Sequence, residues 1–313
     1  MIRPYSPAAA GPAKRRAPRQ RGRVSGRWRP GLLAWAFAFP ALFLALLFKF
    51  IPMGNSVVYS FQKVQPFLGN EYIGTANYVG VLTDPQFQAA AKHTVLIAVW
   101  QTTGAVVMGL FLALLLEGQA RRLWFIRTAV FLPVVAAVAV VAEAWRALLY
   151  PGELGFANTV LGFFGLPPQD YLTSPDQAIW TIIGIGIWSA APYNMVIFIA
   201  GLASIDRDMY QAAALDGAGV WRRLISIVIP ALRPAFAIVL TLAAIRALRI
   251  FTEVYVLTGG GPAGSTDVWM TRMFTVGSDG DVGRASAAAV IMLVVISSLT
   301  LLVQYVIRRR SDV

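Results

Sequence analysis

Tyr210-Gln-Ala-Ala-Ala-Leu-Asp-Gly-Ala-Gly219, followed by Trp221-Arg-Arg-Leu224 and closed by Ile227-Val-Ile-Pro230, lies between two long apolar segments. Asp206 and Asp208 stand just ahead of it, where acidic side chains suit the positive end of a helix dipole. Tyr210 to Leu215 predicts a short Ala-rich helix whose small side chains let another surface approach closely. Gly217 and Gly219 permit a turn that other residues resist. A second helix is expected beyond them, with Val220, Leu224, Ile227 and Val228 spaced along one face. Pro230 and Pro234 punctuate the start of the next apolar run. By its residues alone the pattern is either an interhelical loop with an interfacial helix or a docking surface for a partner.

Composition supplies the setting. Of 313 residues, 57% are hydrophobic and only 13% charged, with a mean hydropathy of +0.63. Soluble domains carry about 25% charged residues, so this is the composition of an integral membrane protein. Six apolar segments, near 31–51, 94–116, 128–149, 179–202, 236–257 and 285–307, are long enough to cross a bilayer, which takes about 20 helical residues. The runs are continuous rather than alternating, so nothing suggests a β-barrel. The chain has no cysteine and one histidine, which leaves no thiolate nucleophile, no disulfide and no His-based metal cluster.

The net charge of +12 reads as topology rather than nucleic-acid binding. If the N-terminus is cytoplasmic, the tail to Pro30, the 117–127 loop, the 203–235 loop and the C-terminal tail carry 19 of the 27 Lys and Arg residues. The opposite loops carry four, Lys63, Lys92, Arg272 and Arg284. This asymmetry predicts both termini inside. Residues 1–30 are basic and lack acidic groups, and read as a disordered cytoplasmic tail that touches anionic lipid. The expected domain is 31–307, with a cytoplasmic loop at 203–235 and a short tail at 308–313.

The loop resembles the coupling loop of ABC importer permeases, whose usual form opens on an E-A-A triplet and ends on I-x-L-P. Asp216-Gly217-Ala218, Trp221 and Pro230 fall at the spacing of the sugar-importer subgroup. The resemblance runs along nearly the whole chain. It takes in Phe50-Ile-Pro52, Tyr59-Ser60-Phe61, Tyr72-Ile-Gly-Thr-Ala-Asn77-Tyr78, Phe131-Leu132-Pro133, Ile187-Trp188 and Ala200-Gly201-Leu202. Tyr255-Val-Leu-Thr-Gly-Gly-Gly-Pro262 and Ser265-Thr266 resemble the maltose-transporter large-permease type. Two places depart from the pattern. Gln211 stands where the family has an acidic residue, and Leu224, Ile225 and Ser226 replace its aromatic and basic residues.

The resemblance implies a type I ABC importer permease in the bacterial cytoplasmic (inner) membrane. It implies a second homologous permease subunit, a dimer of ATP-binding subunits and an extracytoplasmic solute-binding protein as partners. ATP and Mg belong on those subunits, since this chain has no Gly-rich phosphate loop with Lys and Ser/Thr; no cofactor is expected here, and no enzymatic activity. Tyr210, Gln211, Ala212, Ala213, Asp216, Gly217, Ala218 and Trp221 then couple to the ATPase. On the solute side the resemblance places Ser189, Ala190 and Tyr193 of span four, and Ala243, Arg246, Ala247 and Ile250 of span five, beside the sugar.

Ionisable residues within spans usually face a cavity or a partner. Arg246, Arg249 and Glu253 lie on one stripe if span five is a continuous helix, and Arg249 and Glu253 can pair. Asn194 adds an amide beside Tyr193, and Pro192 can open the helix for a ligand. Glu143 and Arg146 read as a structural pair, Lys49 as a snorkelling residue at the outer edge of span one, and His93 as a solvated interface residue. A carbohydrate is the expected solute, a di- or oligosaccharide first. Arg246 keeps glycerol phosphate or a related phosphorylated solute open. A self-contained secondary carrier fits the same span count but not the loop, and an intramembrane enzyme lacks a His/Asp/Glu cluster.

Overall fold

The computed structural model describes residues 30–65, 69–117, 124–153 and 155–311. The expected basic tail lies outside the described residues up to position 29. The chain divides at Pro52 into two compact units. In the first, α1 (Pro30–Ala45) runs into a π-helical turn at Leu46–Phe50. Helix α2 (Ile51–Tyr59) straddles the boundary. This helical run does not stop near residue 51 as expected, so Lys49 lies inside it and not at its edge.

The second unit opens with a short antiparallel pair, β1 (Gln62–Lys63) and β2 (Glu71–Tyr72), and then α3 (Ala76–Thr83). Next comes α4 (Pro85–Leu116), 32 residues long. Asp84 starts it by accepting from the Gln86 N–H at 2.8 Å, with Pro85 at the first helical position, where its missing N–H is no loss. The expected span over 128–149 is broken: α5 (Trp124–Val135) and α6 (Val138–Leu148) meet at 102°. Helix α7 (Phe156–Phe163) follows, and α8 (Pro175–Leu202) continues as a helix through Pro192.

The loop contains α9 (Arg207–Leu215), α10 (Val220–Arg223), a second π-helical turn (Leu224–Val228) and α11 (Ile229–Ala231). Helix α12 (Arg233–Leu248) leaves it at a bend of 68°. The expected span over 236–257 is broken as well, because α12 stops at Leu248 and α13 begins at Thr252 (Thr252–Leu257). Between them Ile250 is driven into the core, 3% exposed, in one cluster with Ile97, Ile182 and Val254. Then come α14 (Trp269–Ser278) and α15 (Val282–Ser311). The tail expected over 308–313 is thus helical as far as Ser311. Among the described residues four helices are long and apolar enough to cross a membrane, and six spans result if each bent pair counts as one.

Helices α4 and α8 pack along each other and against α12. Between helices already in lipid the hydrophobic effect supplies little, so close approach and dispersion must hold them. Gly109 provides that approach: a Cβ there would sit 2.6 Å from the Asn194 Cβ. At Gly186 it would meet the Gln101 carboxamide at 2.4 Å.

The two ends of the unit differ. At one end lie Val106, Leu116, Phe198, Leu202, Val228 and Leu232, from α4, α8, the second π turn and the start of α12. At the other end polar clamps join the loops. Asn77 donates to the Ser60 and Gln62 carbonyls at 3.0 and 2.9 Å, and the Tyr78 and Ser60 hydroxyls bond at 2.7 Å. Arg284 reaches Asp84 at 2.7 Å. His93 Nδ1 lies 2.9 Å from the Asp267 carbonyl oxygen, so His93 is half-buried and bonded, not simply solvated. Burial raises the Asp267 carboxyl above its ordinary pKa, against the Thr271 hydroxyl that donates to it.

Candidate functional site

Residues 206–231 form a hydrogen-bonded turn with an exposed apolar tip. Asp206 accepts from the Asp208 N–H at 3.0 Å and starts α9. The helix ends in a Schellman arrangement: the Gly217 N–H bonds the Ala214 carbonyl at 3.1 Å and the Ala218 N–H bonds Ala213 at 2.9 Å. Gly217 supplies the left-handed step, φ +69°. Arg223 Nε then donates to the Ala218 carbonyl at 2.9 Å, tying α10 back onto the turn.

The expected coupling residues divide into two sets. Gln211, Ala212, Asp216, Gly217 and Trp221 are exposed, with Ala213 and Ala218 half-buried beside them. Tyr210 instead packs inward against the cluster around Leu202 and Val228. Its hydroxyl is buried without a hydrogen-bond partner among the described residues. Burial, and then the neighbouring Glu117 carboxylate, raise its pKa. Leu224, Ile227 and Val228 turn toward the bundle, whereas Val220 does not share their face as expected.

Val220 belongs to the tip. It is 78% exposed, Trp221 is 76% exposed and Leu215 is 90% exposed, with Met209 and Ile225 exposed nearby. Exposed apolar side chains gathered on one loop are the kind of surface that marks a contact. Sequence reasoning named Trp221 but missed Leu215 and Val220 as surface. The signal was there: apolar side chains flanking a turn that offers them no core.

The span-four and span-five residues are less uniform than expected. Ala190, Asn194, Ala243, Ala247 and Ile250 are buried between helices. Asn194 is 2% exposed, and its amide nitrogen has no partner among the described residues. Ser189 is half-buried and donates to the Gly186 carbonyl at 3.1 Å. Glu253 is half-buried on α13, beyond the helix break. The continuous stripe of Arg246, Arg249 and Glu253 is therefore interrupted, and no ion pair joins Arg249 to Glu253 among the described residues.

Two side chains do come together. The Arg246 guanidinium lies over the Tyr193 ring, 4.6 Å from its centroid, so α12 and α8 bring a cation and an aromatic face to one place. A cavity of about 530 Å3 has a lining that includes Trp188, Ala191 and Pro192 of α8 and Pro133 of α5. A second cavity, about 670 Å3, is lined by Glu143, Arg146, Tyr150, Leu172, Thr258 and Pro262. There Glu143 and Arg146 pair at 2.9 Å, as expected for a structural couple. No three His, Asp or Glu side chains among the described residues converge on a possible metal position.

Comparison with known proteins places this geometry. Residues 93–312 match the family described as binding-protein-dependent transport system inner membrane component. The chain is 30% identical over 287 residues, 91% of its length and 97% of the relative's, to the trehalose/maltose transport system permease protein MalF of Thermococcus litoralis. It is also 30% identical to the sn-glycerol-3-phosphate transport system permease protein UgpA of Escherichia coli O6:K15:H31, over 88% of this chain and 92% of that one. A solved bacterial alginate ABC transporter, in complex with alginate pentasaccharide-bound periplasmic protein, matches with a TM-score of 0.78 and 25% identity. That match covers 88% of this chain and 94% of the other. With a family match over most of its length and helices apolar enough to cross a bilayer, the chain is a multi-pass membrane protein that belongs to the binding-protein-dependent transport system inner membrane component family.

Proposed function

We propose that this chain is one permease subunit of an ATP-driven importer of carbohydrate. In this reading six spans cross the bacterial cytoplasmic membrane with both termini inside. Residues 206–231 face the cytoplasm and dock a dimer of ATP-binding subunits. A second, related permease stands alongside, and a solute-binding protein delivers from the opposite face.

The observation that carries the docking assignment is the apolar tip of Leu215, Val220 and Trp221 on a capped, hydrogen-bonded turn. A flexible loop would dissipate a push, whereas this one passes it on. Tyr210, Leu224 and Val228 connect the tip to the cluster around Leu202 and Leu232, and so to α8 and α12. Motion of the ATPase dimer would then shift these two helices together, and with them Tyr193 and Arg246. The names of the relatives, permeases for trehalose/maltose and for glycerol phosphate, support a polyhydroxylated solute.

Proline at Gly217 tests the docking assignment. Proline fixes φ near −65° and cannot take the +69° found there. Gly217→Pro, or deletion of 211–217, should leave the subunit inserted but abolish co-purification of the ATP-binding subunits. Retained co-purification would sink the assignment.

A further inference from the structure

We infer that the solute carried by this importer is an anion, a carbohydrate-sized molecule bearing a carboxylate or phosphate, and that Arg246 is its anchor. The inference rests on the pathway reading above and narrows its substrate class.

The depth of Arg246 comes first. Helix α12 begins at Arg233. At the usual helical rise, Arg246 stands about 20 Å further along the axis, against a hydrocarbon core about 30 Å thick. A cation at that depth needs compensation. Two arginines elsewhere in the bundle find it within the chain. Arg146 pairs with Glu143 at 2.9 Å, and Arg284 reaches Asp84 at 2.7 Å and Asp281 at 3.8 Å.

The Arg246 side chain has no such partner among the described residues: no ion pair or side-chain hydrogen bond found there involves its guanidinium. Arg249, one helical turn on, is also exposed and is likewise in no ion pair among them. Glu253 could have neutralised either cation along a continuous helix, but the break at 249–251 separates it from them. Arg249 thus adds a second cation nearby in the chain and no counter-charge.

What the chain does provide is orientation. The Tyr193 ring lies 4.6 Å from the Arg246 guanidinium carbon. An aromatic face steadies a guanidinium but offers no oxygen to its N–H donors. The donors remain for a ligand. A guanidinium presents paired N–H groups that match a carboxylate or phosphate bidentately. The hydroxyls of a neutral sugar can accept those N–H donors but leave the charge standing. An anionic solute satisfies donors and charge together, and the aromatic support keeps Arg246 in place when the site is empty.

The test uses the complete importer in nanodiscs, with its partner permease, ATP-binding subunits and binding protein. Stimulation of ATP hydrolysis and uptake would be measured with a neutral disaccharide, the matching uronate disaccharide, a sugar phosphate and glycerol phosphate. An anionic solute should stimulate and the neutral one should not; the uronate and phosphate arms separate the two anion sources. Arg246→Gln should raise the half-saturating concentration of the anionic solute by about thirtyfold or more, with Arg246→Lys in between and the complex still assembled. Equal stimulation by the neutral disaccharide, lowered alike by Arg246→Gln, would overturn the anionic substrate while leaving Arg246 on the pathway. A complex that falls apart in Arg246→Gln would mean that Arg246 pairs with an acidic group of the partner permease, which overturns the inference. No stimulation by any of the four, with the ATP-binding subunits still bound, overturns the substrate class and the inference together.

Discussion

At the end formed by α3, the start of α4 and the start of α15, polar side chains tie the elements together: Asn77 to two backbone carbonyls, Tyr78 to Ser60, Arg284 to Asp84, His93 to the Asp267 carbonyl. At the end formed by α9 to α11, hydrogen bonds hold the backbone, but Leu215, Val220 and Trp221 stand exposed. The first end is closed on itself, whereas the second leaves an apolar tip exposed, the surface proposed above to meet a partner. Substitutions at the two ends should therefore separate stability from assembly, and four of them can break or sharpen that contrast.

The largest effect is expected at Gly283, where a Cβ would lie 2.4 Å from the Gln62 carbonyl oxygen and 2.8 Å from the Asn77 amide nitrogen. Gly283→Leu should cost about 3 kcal/mol or prevent recovery of folded protein, read by thermal unfolding in detergent. Asn77→Ala comes next. It removes both bonds to the Ser60 and Gln62 carbonyls and should cost about 2 kcal/mol. Unchanged unfolding in either variant would mean that this end is not held by the clamps.

Trp221→Ala at the opposite end should leave unfolding within about 0.5 kcal/mol of the parent. It should weaken capture of the ATP-binding subunits by about tenfold, measured by titrating them onto the purified permeases. A stability loss without a binding loss would reverse the contrast.

The smallest effect is a pH dependence at Asp84. Burial alone would raise its pKa, but the Gln86 N–H and then Arg284 outweigh it and the pKa is lowered. A carboxylate lowered on folding contributes stability that is present above its unfolded pKa, about 3.9, and lost as pH falls through the folded value. Unfolding of the parent should therefore steepen below about pH 4, and Asp84→Asn should be less stable at neutral pH but flatter in that acid window. Parallel profiles would remove the Arg284 pair from the account.

Hydropathy made the apolar segments legible, and Gly217 made the loop's turn legible, because both are local properties. The helix breaks were not legible. Val134-Val-Ala-Ala-Val138 has the same apolar character on both sides of a 102° bend, and a window average cannot register a change of direction. Arg249-Ile-Phe251 contains no glycine or proline; the break is imposed by Ile250 packing beside Ile97 and Val254, which is a tertiary fact. The same limit governed the solute residues. Spacing could place Ala190, Ala243 and Ala247 on plausible faces, but only packing shows them buried between helices. The meeting of Tyr193 and Arg246, more than fifty positions apart in the chain, needed the fold as well.

The π-helical turn at Leu224–Val228 sits between the exposed tip and the start of α12. A π turn is an α-helix with one residue too many, and each residue advances a helix by about 100°. The turn thus acts as a phase setting, fixing the compass bearing of Trp221 relative to the bundle. Because the wide turn takes up its extra residue within a single turn, deleting that residue would wind the segment back to α and keep the tip near its bearing, whereas adding one that the turn could not absorb would swing it by about 100°. The wide turn is thus slack in the chain, a place where length can change by one residue while the alignment of tip and bundle is kept.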